Sequence, residues 1–193
     1  MLNATISIAA CARNTLAVGF FALVFSSSLM ASATPAAYVE AAIEQVRLAG
    51  EGKLRVLGFE IYTARLWVGA GFKPEQFSAH GFALEINYLR NFDNVDIAKR
   101  SVKEMRRVAT VSDAQAAAWL ETMVDVFPDV KKGDRLTGIH LSDGSARFVM
   151  NGRVLKDIPD RDFSQAFFAI WLSEKSSEPR LRQQLFSQLE GRP

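Results

Sequence analysis

Cysteine is all but missing: of 193 residues, Cys11 alone carries a thiol. Histidine is nearly as scarce, with only His80 and His140. Neither has a second imidazole or a carboxylate at ligand spacing, so no metal site is expected, and both read plainly as a loop and a strand-end histidine. The chain has no G-x-S-x-G, no glycine-rich phosphate loop and no H-E-x-x-H. That removes the common self-contained signatures of a serine nucleophile, a nucleotide cradle and a zinc peptidase. Long basic runs are absent too. Pairs such as Arg106-Arg107 and Lys131-Lys132 are the longest, and the formal charge is only +2. A nucleic-acid partner needs a basic stripe, and none is expected here. No cofactor is implied.

The N-terminus is nearly without charge. Thr15 to Met30 (TLAVGFFALVFSSSLM) holds none, Arg13 precedes it, and Ala31-Ser32-Ala33 follows as an A-x-A cleavage pattern. This order reads as a secretory signal peptide over residues 1–33, cut before Thr34, with a single domain over 34–193 in the periplasm or secreted. A retained anchor is the lesser reading, because the strongly apolar part falls short of a bilayer span of about 20 residues. Cys11 lies before Arg13 and before the apolar run, the wrong order for lipoprotein processing. After cleavage no cysteine remains, and 22 basic residues face 21 acidic ones. Such a domain has no disulfide, no thiolate nucleophile and no stable membrane insertion, and its stability rests on a hydrophobic core.

What is present is nearly half apolar and long enough for a real core. Val46 to Val56 alternates, with Val46, Leu48, Leu54 and Val56 on one parity and Arg47, Glu51, Lys53 and Arg55 on the other. It reads as a strand with one buried and one polar face. Leu57-Gly58 is the expected turn, and Phe59 to Val68 the second strand of a hairpin. Both of its faces carry apolar groups, as in a strand covered on two sides or lining a cleft. Phe82 to Leu89 is a third strand. Val95, Ala98, Val102, Met105 and Val108 recur at helical spacing, and Ser112 to Gln115 is a capping box for a second helix ending before Pro128. Glu104 and the other helix carboxylates read as a solvated face. Gly133 to Leu141, Ala146 to Asn151 and Arg153 to Asp157 are strands joined at Asp143-Gly144 and Asn151-Gly152. A helix follows Pro159-Asp160 to about Leu172, and a last one opens at Pro179. The order β-β-β, α-α, β-β-β, α-α implies an α+β fold, a largely antiparallel sheet with helices on one face.

Gly50, Gly52, Arg55, Gly58 and Tyr62-Thr63-Ala64 together resemble the opening hairpin of the chalcone isomerase family, in its bacterial chalcone-isomerase-like branch. Lys132-Gly133-Asp134, Asn151-Gly152 and Phe163 to Leu172 are similar to later parts of that family, so the likeness runs from about Val46 to Leu189. It implies an open-faced β-sandwich, a curved antiparallel sheet backed by helices with a pocket between them. In the plant enzymes an arginine and a threonine on strands, a tyrosine, an asparagine and a late-helix threonine surround the flavanone. By resemblance Arg55 takes the arginine position and Thr63 the threonine. The stretch Asn94 to Glu104 holds no tyrosine, and the late-helix position falls at Ile170. Ring closure of a chalcone needs a stabilised phenolate and enolate, and three of the five positions are gone.

The resemblance therefore implies no catalytic residue. It implies a binder of a small apolar or carboxylate-bearing ligand, fatty-acid-like, with Arg55, Thr63 and Ile170 as its contacts; some relatives on this fold use the arginine to hold a carboxylate. Two alternatives stand beside it: an intramolecular isomerase acting on another substrate, and an interaction domain whose pocket is filled. Arg55 itself has two readings. It is either the ligand's cation or an outward charge paired across the hairpin with Glu60. Arg65 reads as scaffold.

Overall fold

The structure is a computed structural model and describes residues 34–189. The signal-peptide expectation for residues 1–33 lies outside that span. Six strands form one antiparallel sheet in sequence order: β1 (Arg47–Val56), β2 (Phe59–Val68), β3 (Phe82–Tyr88), β4 (Arg135–His140), β5 (Ala146–Met150) and β6 (Arg153–Ile158). Between β3 and β4 come α2 (Asn94–Val108) and α3 (Asp113–Val126); after β6 come α4 (Arg161–Leu172) and α5 (Pro179–Phe186). A short helix, α1 (Ala37–Glu40), precedes the sheet. The architecture is the α+β open sandwich expected from the element order. Among the described residues no helix is long and apolar enough to cross a membrane.

Local chemistry explains most boundaries. Ser112 accepts from the Gln115 N–H while the Gln115 side chain accepts from the Ser112 N–H, so both ends of the capping box form at the start of α3. Asp160 caps α4 by accepting from the Phe163 N–H at 3.0 Å, and its other oxygen accepts from Trp119 Nε1 at 2.8 Å. The cap thereby ties α4 to α3. Nine of the twelve residues of α4 are buried, from Phe163 through Leu172. This helix lies between the sheet and the outer helices, and so it is apolar nearly all round.

Two details differ from the alternating pattern of the sequence. In β1 the pairing runs Leu48 with Trp67 and then Gly50 with Leu66, so Ala49 is an extra residue. The bulge swaps the faces. Leu48 joins Trp67, Val39 and Ile139 in a small apolar cluster on the outer face, whereas Leu54 packs with the main core. The expectation of one buried face along Val46 to Val56 is corrected accordingly. The outer cluster is covered by α1, whose Tyr38 hydroxyl lies 3.0 Å from Thr137 Oγ1, so one small helix sits opposite the others.

Helix α5 packs directly on the bulged stretch. A Cβ at Gly50 would collide with the carbonyls of Gln184 and Leu185, and one at Gly52 would lie 2.6 Å from the Leu181 side chain. The Gln188 N–H donates to the Ala49 carbonyl at 2.8 Å, securing the helix end on this edge strand. His140 ends β4, as the strand-end reading has it, but it is not a surface group. It is buried, stacks on Phe82, and lies 2.7 Å from Ser164 Oγ and 3.1 Å from the Ser78 carbonyl. A carbonyl only accepts, so Nε2 carries the proton and Nδ1 accepts from Ser164. Burial holds its pKa below the ordinary 6.5.

Gly50→Ala is expected to lower unfolding free energy by about 1–3 kcal/mol through overpacking against α5. Denaturant melts measure it; an unchanged midpoint would mean that α5 does not hold β1 this closely.

Candidate functional site

The inner face of the sheet and helices α2 and α4 enclose a cavity of about 330 Å³, within the range of about 300–1,000 Å³ common for small-molecule sites. Leu54, Ile61, Ile86 and Leu136 supply the sheet wall, and Ile97, Phe167 and Ile170 the helix wall. It opens at the end of the sheet that carries the β1–β2 turn, where Val56 lines it and is 42% exposed. Its position follows from the fold. Tyr62 and Tyr88, paired across β2 and β3, stand edge to face with ring centres 6.3 Å apart, and α2 and α4 do not close over them.

The polar groups of the cavity gather at one end. Trp171 Nε1 donates to Tyr62 Oη at 2.8 Å, which leaves the phenol's own proton free to donate. Arg100, Ser101 and Glu104 from α2 and Ser177 and Glu178 from the segment after α4 complete that end. Ser101 is already committed, donating to the Ile97 carbonyl at 2.8 Å. Glu104 is 5% exposed. Its Oε1 lies 2.9 Å from Arg100 Nη2 and its Oε2 lies 3.3 Å from Arg107 Nε, yet Oε2 is buried and accepts no hydrogen bond. Glu178 has no ion-pair partner among the described residues. The wall thus offers two carboxylates, one guanidinium already shared, and a phenol.

Burial pushes the phenol pKa values of both Tyr62 and Tyr88 well above the ordinary 10; for Tyr62 the hydrogen bond from Trp171 works against the shift, and for Tyr88 the neighbouring Tyr62 adds to it. Both are therefore neutral hydrogen-bonding groups at neutral pH.

The structure does not bring Arg55, Thr63 and Ile170 together. Ile170 lines the cavity. Arg55 alternates away from Leu54 and Val56, its side chain is 63% exposed, and its Nη2 lies 2.8 Å from Glu60 Oε1. Lys53 binds the same oxygen at 2.8 Å. First Lys53 and then Arg55 hold the Glu60 carboxyl below its ordinary range. A second register shift makes this possible, for Leu54 pairs with Tyr62 and Arg55 with Glu60, leaving Ile61 extra. Thr63 lies on the outer face, in a polar depression of about 310 Å³ with Asn87, Asn151, Arg65, Glu85 and Arg135. There Arg65 Nε donates to Glu51, and the buried Glu85 carboxylate lies 3.5 Å from Arg65 Nη1 and 3.7 Å from Arg135 Nη1. Arg65 is part of the sheet's outer ion network.

The residues that sequence reasoning missed are Tyr62, Tyr88, Arg100, Glu104, Trp171 and Glu178. A signal for Glu104 exists: Ile97, Ser101 and Glu104 sit at i, i+4 and i+7, one face of a helix, and its charge concealed it. The solvated-face reading of Glu104 is corrected by its burial.

Because burial raises both phenols, alkaline absorbance titration is expected to show Tyr62 and Tyr88 still protonated as pH passes 10. Tyr62→Phe and Tyr88→Phe should each remove one late-ionising group. The unfolded chain ionises near 10 while the folded one does not, so stability should fall as pH rises above 10. Ordinary titration of both groups would mean that water solvates the cavity end freely.

Three comparisons place this geometry among known proteins. A family model described as chalcone isomerase-like matches residues 29–187. An uncharacterized protein of Haemophilus influenzae is 31% identical over 133 residues, which is 69% of this chain and 64% of that protein, so the chain spans just under two thirds of that relative's length. The crystal structure of a fatty-acid binding protein from Arabidopsis thaliana superposes with a TM-score of 0.59 at 9% identity, over 74% of this chain and 87% of that one. At such identity the likeness is one of fold.

Proposed function

The chain belongs to the chalcone isomerase-like family, and on that premise we propose that it is a non-catalytic binder of a small, chain-like apolar ligand held between the sheet and α2 and α4. The observation that carries this reading is the cavity itself, about 330 Å³ with a predominantly aliphatic and aromatic wall. The fatty-acid binding protein named above supports it by analogy of fold. An open cavity speaks against the alternative of an interaction domain with a filled pocket. The isomerase alternative took its cation from Arg55, which lies outside the cavity on Glu60; the guanidinium that does line the cavity, Arg100, is held by Glu104 at 2.9 Å, which speaks against a free cation for a developing enolate. In the same proposal the domain works in the periplasm after loss of residues 1–33, an expectation that rests on the sequence pattern.

The polar end of the ligand follows from the wall. A carboxylate would have to share Arg100 with Glu104 and lie near Glu178. A ligand end that donates a hydrogen bond is instead offered the two carboxylates of the lining, Glu104 and Glu178. The proposed ligand is therefore apolar with a hydroxyl, amide or amine end.

Trp171 lines the cavity, so its fluorescence reports occupancy. Titration with dodecanol, dodecylamine and dodecanoate is expected to show saturable binding, tighter for the two donor-ended ligands by about tenfold, one charge-assisted or buried hydrogen bond. Mass spectrometry of ligand extracted from the purified protein should show the same class. Ile170→Trp should abolish binding by filling the space. No saturable signal with any probe sinks the binder, whereas tightest binding of dodecanoate leaves the binder standing and rejects the donor-ended ligand.

A further inference from the structure

Among the described residues five large apolar side chains are markedly exposed, and three of them fall in one four-residue stretch: Val56 at 42%, Leu57 at 93% and Phe59 at 59%. That stretch is the β1–β2 turn. Leu57 and Gly58 occupy its two central positions with φ of 50° and 81°, and Val56 pairs with Phe59. Two-residue hairpins of this kind need positive φ at both centres and favour Asn-Gly. The same chain builds the same turn a second time between β5 and β6, where Asn151 and Gly152 have φ of 50° and 87°. Asparagine tolerates that conformation; leucine is disfavoured in it. An almost fully exposed leucine also gains nothing from the folded chain by burial. Two local rules are broken at one position, with no compensation inside the molecule, and such breaks mark functional positions.

The surroundings say what the turn meets. The Arg90 guanidinium lies over the Phe59 ring at 4.9 Å. Arg55 and Lys53 share the single carboxylate of Glu60, two cations against one anion. Arg100, 61% exposed, stands on the rim of the cavity. An apolar tip ringed by cations matches an anionic lipid surface, where apolar groups enter the acyl boundary and guanidiniums pair with headgroups. The tip is also continuous with the cavity, because Val56 and Ile61 line its mouth.

We propose that the Val56–Phe59 turn is a bilayer-docking loop that sets the cavity mouth on an anionic lipid surface. This goes beyond ligand binding, since it names where the mouth is placed and is read without any ligand.

The test uses the full chain carrying Leu57→Trp, with vesicles of phosphatidylcholine and phosphatidylglycerol bearing bromine on their acyl chains. The native tryptophans Trp67, Trp119 and Trp171 are all buried, and the unsubstituted chain supplies their background. Ser142→Trp, in the β4–β5 turn at the opposite end of the sheet, controls for attachment by any other part of the chain. The expected result is a blue shift and quenching at position 57 several-fold greater than at 142. It should weaken without phosphatidylglycerol and in the Arg90→Glu background. Equal quenching at the two positions, or none at 57, overturns the proposal. So does burial of position 57 in a self-associated species without vesicles, which would make the occupant a second copy. Leu57→Asn separates docking from folding: it copies Asn151, so its melting temperature should hold or rise. A clear fall would make Leu57 a folding residue and would also overturn the proposal.

Discussion

The depth at which α4 lies on the sheet governs everything the cavity offers, and one contact sets that depth. Gly138 on β4 has no side chain, and the Phe168 ring occupies the space; a Cβ there would lie 2.9 Å from its Cε1. Phe168 in turn meets Phe82 edge to face at 4.9 Å and Phe167 at 5.4 Å, and Phe167 crosses Phe148 at 5.1 Å. These aromatic contacts lock the helix in rotation as well as height. Asp160 fixes its start through Trp119, and Ser176 closes its end by donating to the Ile170 carbonyl at 2.7 Å. With rotation and height fixed, Ile170 and Trp171 face the cavity on one side while Phe163 and Phe168 fill the core on the other. The empty space beside Tyr62 and Tyr88 exists because α4 packs down on the β4 side and cannot also cover β1.

That dependence explains which parts of the structure are legible in the chain. Turns and caps are local chemistry, so Ser112 with Gln115, Asp143-Gly144 and Asn151-Gly152 announce themselves within four residues. The element order and the sandwich follow from them. The faces of β1 are not local. Alternation puts Leu48 and Leu54 on one side, yet a bulge at Ala49 separates them, beside two glycines that the approach of Leu181 and Leu185 from the far end of the chain requires. His140 likewise acquires its meaning from Ser164 and Ser78, which nothing in its own neighbourhood indicates. The candidate site suffers most. Arg55 stands out in the sequence as a cation in a strand, but Glu60 five residues on satisfies it. Glu104 looks like one more exposed helix charge, and burial of α2 against α4 makes it the least solvated carboxylate of the cavity.

The sheet keeps two kinds of polar chemistry apart. On its outer face Arg65, Glu51, Glu85 and Arg135 form a connected ion network in which each charge has a partner. On its inner side the charges that line the cavity gather at one end, where Glu104 has one oxygen without a hydrogen bond. An incompletely satisfied buried acceptor costs the fold stability. In the outer network the buried Glu85 carboxylate lies between two half-exposed arginines, whereas the charges on the inner side sit beside the cavity, so a ligand held there meets Glu104 and Glu178 rather than the outer network.

β1 has a further effect on how this cavity responds to load. It is an edge strand, paired on one side only, interrupted by two register shifts, and thinned by Gly50 and Gly52. The wall opposite, α4, is clamped at both ends and wedged by four phenyl rings. The enclosure is therefore stiff on one flank and compliant on the other, like a jaw with a single hinged plate. On the proposed binding reading, a guest slightly too wide is expected to displace β1 with the α5 packed on it rather than α4, so that elastic give of the edge strand sets the tolerance in guest girth.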